Sequence, residues 1–125
     1  MVLEIRDSTN GILSFDLRDV LLVVGSVRTD LWWRLSGVDA YGEGGRRLND
    51  ASDNADVLSN AQLVDIAVRV DQVIDGVFCG YTDINERPWA VIRAIDSTFW
   101  EVECDDERLA QSLLRRFSAV TVRDE

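Results

Sequence analysis

Apolar and polar side chains alternate along residues 2–15, on both sides of an Asn-Gly pair. This pattern is typical of a β-hairpin that turns at Asn10 and Gly11. A two-residue loop would leave the apolar residues of the two strands on opposite faces, whereas a three-residue loop over residues 9–11 gathers them on one face. We therefore predict the three-residue loop. The face that it would bury carries Leu3, Ile5, Leu13 and Phe15.

Residues 17–24 and 59–75 have the apolar spacing of helices. The first segment follows Asp16, a suitable N-cap, and reaches Gly25, a suitable end. The second opens with Ser59 and Gln62, which have the spacing of a capping box. Both segments also contain many β-branched residues, so a buried strand is the alternative for each.

A third helix is predicted to begin at Asp105, because acidic residues fill its first turn and two arginines its last, as the helix dipole favours. Its apolar stripe ends at Phe117. Between the first two helices, residues 42–56 are polar and rich in glycine and show no periodicity. We interpret this stretch as a mobile or functional loop.

The other periodic segments predict strands over residues 31–41, 77–82 and 119–122, with Gly37 marking a bulge in the first. Residues 89–104 predict a hairpin centred on Asp96 and Ser97. An even-numbered loop there would pair Arg93 with Trp100. The face that this register buries would carry Trp89, Val91, Ile95, Trp100, Val102 and Cys104.

Hairpins and helices in this order, without repeated β-α-β units, indicate an α+β fold. We expect an antiparallel sheet, built from the N-terminal and C-terminal hairpins, with two or three helices packed on one face. A chain of 125 residues can bury a sizeable core without a disulfide or a metal, so residues 1–125 are expected to form a single domain.

Charge narrows the classes of partner. The chain has 23 acidic residues against 13 basic ones, which gives a formal net charge of -10. Nucleic-acid affinity depends on clustered basic residues, so we expect no nucleic-acid partner and favour a basic protein. Neither a signal peptide nor a membrane-spanning apolar run is evident, so we expect a cytoplasmic protein of bacterial type that does not bind a membrane.

Composition also narrows the chemistry. Every basic residue is arginine, and the chain has no histidine or lysine. Schiff-base chemistry, Ser-His and Cys-His nucleophiles and histidine-containing zinc sites are therefore excluded. We expect neither a cofactor nor a metal. Cys79 and Cys104 are too far apart in sequence for a redox motif, and we interpret them as structural thiols.

Neighbouring residues of a strand point to opposite faces, so Trp32 and Trp33 cannot both lie on the same side of the sheet. We expect one of the two to be an exposed anchor for a partner. The nearby polar stretch carries Asp50, Asp53 and Asp56, which would form an acidic rim around that anchor. Their spacing departs from that of a calcium-binding loop, so we expect these carboxylates to remain free of metal.

These features favour a non-enzymatic acidic module that binds another protein, for example an inhibitor or immunity protein of a basic toxin or nuclease. The alternative is a homo-oligomeric assembly domain whose Trp face closes a symmetric interface. A hydrolase or lyase that uses only carboxylates is a further alternative. Its candidate residues are Glu101, Glu103 and Asp96.

Overall fold

The computed structural model describes residues 1–124 and confirms the α+β class. Within these residues a large sheet of seven antiparallel strands is covered by helices, and a separate two-stranded hairpin lies near the N-terminus. The strands are β1 (Val2–Ile5), β2 (Ser8–Thr9), β3 (Ile12–Leu13), β4 (Trp32–Tyr41), β5 (Val57–Ser59), β6 (Gln72–Tyr81), β7 (Ala90–Ile95), β8 (Phe99–Cys104) and β9 (Val120–Arg123). The helices are α1 (Leu17–Val27), α2 (Glu43–Asp53), α3 (Asn60–Ala67) and α4 (Glu107–Arg116).

The strand order in the large sheet is β5-β4-β6-β7-β8-β1-β9. The N-terminal strand β1 lies between β8 and β9, so the two ends of the described chain meet in the sheet. None of the helices within residues 1–124 combines the length and the apolar character needed to cross a bilayer.

The predicted register of the N-terminal hairpin is wrong. Ser8 pairs with Leu13, which leaves a two-residue turn at Asn10 and Gly11, both with positive φ. The apolar residues of β1 are buried without the three-residue loop, because β1 pairs with β8 and β9 instead of β3. Ile5 is therefore buried without help from Leu13, which lies only partly buried on the small hairpin.

Helix α1 is confirmed, with reciprocal capping hydrogen bonds between Asp16 and Asp19. It continues through Gly25 to Val27, so the predicted helix, residues 17–24, ends three residues early. The capping box of Ser59 and Gln62 is also confirmed at the start of α3.

The predicted helix over residues 59–75 is too long. Helix α3 ends at Ala67, and β6 begins at Gln72, before the predicted strand start at residue 77. Residues 72–75 form a strand instead of a helix because they pair with β4, where Gln72 lies opposite Tyr41 and Asp75 opposite Asp39. The bulge predicted at Gly37 is confirmed, since the register shifts between Ser36 and Asp39 and Gly37 has a φ of 59°.

The segment predicted to be a mobile loop over residues 42–56 is mostly helix α2. Its glycines allow close packing. A Cβ on Gly45 would lie 2.7 Å from the carbonyl carbon of Ala40 in β4, and one on Gly44 would overlap the carbonyl oxygen of Ile66 in α3. The glycines of this segment therefore allow α2 to pack closely against neighbouring backbone, and they do not make the segment a flexible loop.

The C-terminal hairpin forms between the predicted strands, but its predicted register is off by one residue. Arg93 lies opposite Glu101, and Ile95 opposite Phe99, which leaves a three-residue connection over residues 96–98. A one-residue shift turns every side chain of a strand to the other face. The buried residues of β7 are consequently Ala90, Ile92 and Ala94, and the predicted Trp89, Val91 and Ile95 are only partly buried.

The helices within residues 1–124 all contribute to one apolar core on a single face of the sheet. Along this layer α2 packs on α3, α3 on α1, and α1 on α4. None of these helices packs on the opposite side, which carries Trp32, Cys79, Val91 and Glu101, and we call that side the open face. Val2 is buried among its neighbours on the open face and does not belong to the main core.

Candidate functional site

One end of the large sheet encloses a cavity of about 550 Å³, which we call the end cavity. It lies between the small β2–β3 hairpin, the start of β6 and the turn before β8. Apolar side chains form much of its wall, and two carboxylates and two neutral polar side chains line the rest. The lining residues are Gly11, Ile12, Leu13, Phe15, Asp16, Asp71, Gln72, Val73, Ser97 and Trp100.

Asp16 is fixed in the wall by hydrogen bonds from two elements. Its carboxylate accepts from the backbone N–H of Leu17, at 2.7 Å, and from that of Val73 in β6, at 3.3 Å. Burial raises the pKa of the Asp16 carboxyl above its usual value, and these two hydrogen bonds oppose the shift only in part. The carboxylate therefore serves as an N-cap while it faces a partly desolvated cavity.

Further carboxylates lie at the same end of the sheet as the end cavity. Asp71 lines it directly, and Asp96 lies next to the lining residue Ser97. The carboxylate of Asp75 accepts the backbone N–H of Asp96 at 2.8 Å, and Asp39 lies opposite Asp75 in the neighbouring strand. Within residues 1–124, no arginine lies within 4 Å ion-pair distance of these four residues or of Asp16. We call the five residues the acidic end: Asp16, Asp39, Asp71, Asp75 and Asp96.

Two large apolar side chains are exposed beside these carboxylates. Ile12, on the small hairpin, is 71% exposed and lines the end cavity. Tyr41 is 58% exposed, and its carbonyl accepts the backbone N–H of Asp71 at 2.8 Å. Exposed apolar groups surrounded by charge are a common feature of protein-binding surfaces. The acidic end therefore combines unpaired negative charge, a cavity and apolar contact area.

The structure separates the two tryptophans that the sequence places side by side. Trp32 is 47% exposed on the open face. Trp33 is fully buried, where its indole N–H donates to Asn60 Oδ1 at 2.9 Å and its ring lies against Gly80. Only Trp32 is available to a partner, and Trp33 is a core residue.

Trp32 lines a shallow depression of about 350 Å³ with Arg34, Val57 and Ile84. The predicted acidic rim is not assembled around it. Asp50 and Asp53 are exposed on helix α2, which packs on the other side of the sheet. Asp56 is the one predicted aspartate whose sequence neighbour, Val57, lines the depression. Its carboxylate pairs with Arg47 at 3.4 Å.

The carboxylates considered for catalysis lie in a different setting. Glu101 and Glu103 both project from β8 on the open face, and each has an arginine partner: Arg123 at 2.6 Å and Arg93 at 2.9 Å. Both of these glutamates are therefore neutralised by arginines of the same face. Asp96, the third candidate, is exposed in the turn and lies apart from both glutamates, which do not line the end cavity.

The two cysteines lie on opposite sides of the sheet. Cys104 is 4% exposed and belongs to the main core, whereas Cys79 is partly buried on the open face. Burial raises the pKa of both thiols, so both are held in the less reactive protonated form at neutral pH.

No family model, curated protein sequence or solved structure matches this chain. The acidic end was also missed by the sequence analysis, since Asp71 and Asp75 fall within the predicted long helix and Asp39 within a predicted strand. A correct start for β6 would have placed Asp75 opposite Asp39. The available signal was the polar pair Asp71 and Gln72, which interrupts the apolar series of α3.

Proposed function

We propose that this protein is a non-enzymatic module that binds a basic protein through its acidic end. The observation that carries the proposal is the unequal distribution of charge: the open-face glutamates Glu4, Glu101 and Glu103 pair with arginines, while the five carboxylates of the acidic end have no arginine partner within residues 1–124. Unpaired surface charge attracts an oppositely charged partner and accelerates encounter.

The end cavity suits a long basic side chain. Ile12 and Leu13 offer apolar surface to the methylene stem of an arginine or lysine, and Asp16 and Asp71 supply carboxylates to its charged group. Ile12 and Tyr41 would cover apolar surface of the partner around this contact. We expect such a partner to bind faster at low salt, because screening weakens attraction between exposed charges.

The first experiment uses an arginine-rich peptide as the probe and follows backbone amide shifts by NMR. The proposal expects shifts concentrated at residues 11–13, 71–73 and 96–97, and no response to a glutamate-rich peptide of equal length. Shifts centred on Trp32 would instead favour the depression on the open face. Shifts spread evenly over all exposed acids would contradict a localised site.

Two variants of equal charge provide the matched control. D71N/D75N/D96N removes three carboxylates of the acidic end, and D50N/D53N/D56N removes the three that the sequence singled out. The first variant should weaken peptide binding by about tenfold or more, and the second by less than about threefold, since exposed distant charges are largely screened. Equal loss in both variants would mean that net charge alone attracts the peptide.

An inhibitor or immunity role is a narrower form of this proposal. A basic toxin or nuclease recovered from the host at low salt would be tested for activity with and without the protein. Inhibition that D71N/D75N/D96N abolishes and D50N/D53N/D56N retains would support that role. Binding without any change in the partner's activity would restrict the function to an adaptor or assembly role.

A further inference from the structure

The two edges of the large sheet differ in protection. At the β5 edge, the outward N–H of Ser59 donates to the Gln62 side chain at 2.8 Å. Beyond the end of β5, side chains of α2 cover the edge of β4: Asn49 bonds both backbone groups of Ala40, at 3.0 and 3.1 Å, and Ser52 accepts the N–H of Val38 at 3.2 Å. These contacts occupy several backbone groups that a further strand would need, so this edge, with a β5 of only three residues, is less able to pair than a fully open one.

No strand or helix of the described residues covers the β9 edge. The N–H of Arg6 donates to the carbonyl of Ala119 at 2.9 Å, which fixes the alternation along β1 and β9. By that alternation Thr121 and Arg123 direct their backbone groups toward β1, and Val120 and Val122 direct theirs outward. Within residues 1–124, no hydrogen bond reaches the outward groups of Val120 and Val122.

Apolar side chains accompany this edge. Val122 is 46% exposed, and Leu114 of α4 is 47% exposed. Helix α4 is the last of the helix layer, with Arg116 turned toward Asp19 of α1 at 3.6 Å. By helical spacing Leu114 lies on the flank of α4 opposite Arg116, away from α1 and at the end of the helix layer. The β9 edge therefore combines backbone groups without hydrogen-bond partners in the described part of the chain and an exposed apolar side chain.

We infer that a second copy of this chain pairs with β9 in antiparallel orientation about a twofold axis at Val122, joining the two sheets into one. In this register Arg123 lies opposite Thr121 of the second copy, and Val120 opposite Asp124, so no like charges face each other. Arg123 is in any case held by Glu4 and Glu101 of its own sheet, at 3.3 and 2.6 Å. The strand lacks the proline, lysine or bulge that often protects an edge.

This inference is independent of the proposed function and has the opposite salt dependence. Each copy carries a formal charge of -10, so two copies repel each other and salt should strengthen the dimer. A basic partner should instead bind less tightly as salt rises. The contact is small compared with a standard interface of about 1,600 Å², so we expect a dissociation constant in the micromolar range or weaker.

Sedimentation of the whole protein over a wide concentration range, at low and high salt, tests the inference. We expect a monomer–dimer equilibrium that shifts toward the dimer with salt. V122K places two ammonium groups opposite each other on the twofold axis and should weaken the dimer by about tenfold or more. The matched control is V57K, which changes a valine of similar exposure, 42%, at the protected edge and should leave the dimer intact.

V122P provides a second variant, because it removes an outward N–H while leaving the bonds to β1 in place; it should weaken the dimer as V122K does. A monomer at all concentrations in high salt would overturn the inference, as would a dimer that V122K leaves unchanged or that V57K disrupts. Binding of a foreign strand to β9, without self-association, would also overturn it.

Discussion

The buried side chain of Trp33 is held by one hydrogen bond and one close packing contact. Trp33 fits because Gly80 leaves room for its ring and Asn60 accepts its indole N–H. A Cβ on Gly80 would lie 3.0 Å from that ring, so a larger residue would push the tryptophan out of place. The neighbouring Trp32 needs neither a glycine beside its ring nor a hydrogen-bond acceptor, because it is exposed to solvent.

Asp16 provides a test of pH dependence. Burial raises the pKa of its carboxyl above the ordinary 3.8, so the folded state binds this proton more tightly than the unfolded chain does. The resulting contribution to stability is present below pH 3.8 and is lost as pH rises through the raised pKa. D16N keeps an oxygen that can cap α1, and it removes the titration.

Relative to wild type, D16N should therefore gain stability as pH rises through this window, measured by denaturant unfolding at closely spaced pH values. Glu4, Asp30 and Asp106 have pKa values lowered by neighbouring arginines and act in the opposite direction, but they cancel in the comparison because both proteins retain them. A difference in stability that does not change with pH would count against the raised pKa.

At the scale of elements, the hydrophobic pattern predicted helices and strands well where caps and periodicity agree. Asp16 before α1 and the Ser59–Gln62 pair before α3 are local signals, and both helices begin where these signals place them. Registers were less predictable. The shift in the C-terminal hairpin depends on whether Thr98 belongs to the turn or to the strand, and the sequence contains no local signal that decides this.

The candidate site was the least predictable part. The proposed acidic end depends on pairing between β4 and β6, which brings Asp39 opposite Asp75 across 36 positions of sequence separation. Helix α2 was missed for a related reason: Gly44 and Gly45 lower helix propensity, and the compensating contacts with Ile66 and Ala40 come from other elements. Both features require tertiary contacts that periodicity alone does not contain.

Glycines in two helices should respond oppositely to alanine. G45A adds a Cβ that overlaps the backbone of Ala40, so we expect a loss of about 1–3 kcal/mol in the free energy of unfolding. G25A, in α1, adds a Cβ that meets no atom within 4 Å, so a gain of about 0.5–1 kcal/mol is expected from helix propensity. Urea titrations compare the two. Equal effects would contradict the close packing of α2.

For the whole molecule, the pairing of charges differs between regions. The open face holds arginines between its glutamates, and Arg6 also covers the ring of Phe99 at 4.2 Å, while the acidic end has no such pairing in the described chain. A high net charge keeps copies apart at low salt. Association with a basic protein and association with a second copy should therefore be favoured under different conditions.

Thiol labelling tests the arrangement of the two sheet faces. Both thiols should react slowly compared with the unfolded chain, because burial raises both pKa values. Cys79, partly exposed on the open face, should react faster than Cys104. The single-cysteine variants C79S and C104S allow each rate to be measured separately with a coloured reagent. Labelling of Cys104 at the rate of the unfolded chain would show that the core around it is not closed.

Because the two thiols lie on opposite sides of the sheet, their labelling rates also measure how often the folded protein opens. Cys104 lies in the core between the helix layer and the sheet, so we expect a reagent to reach it when these layers separate or the whole chain unfolds, whereas Cys79 is partly exposed in the folded protein. Under mild denaturant, the labelling rate of Cys104 measures how often the two layers part, and comparison with global stability separates partial opening from complete unfolding. The two native sulfur atoms thus distinguish, with no added label, whether the layers of this fold come apart together or in succession.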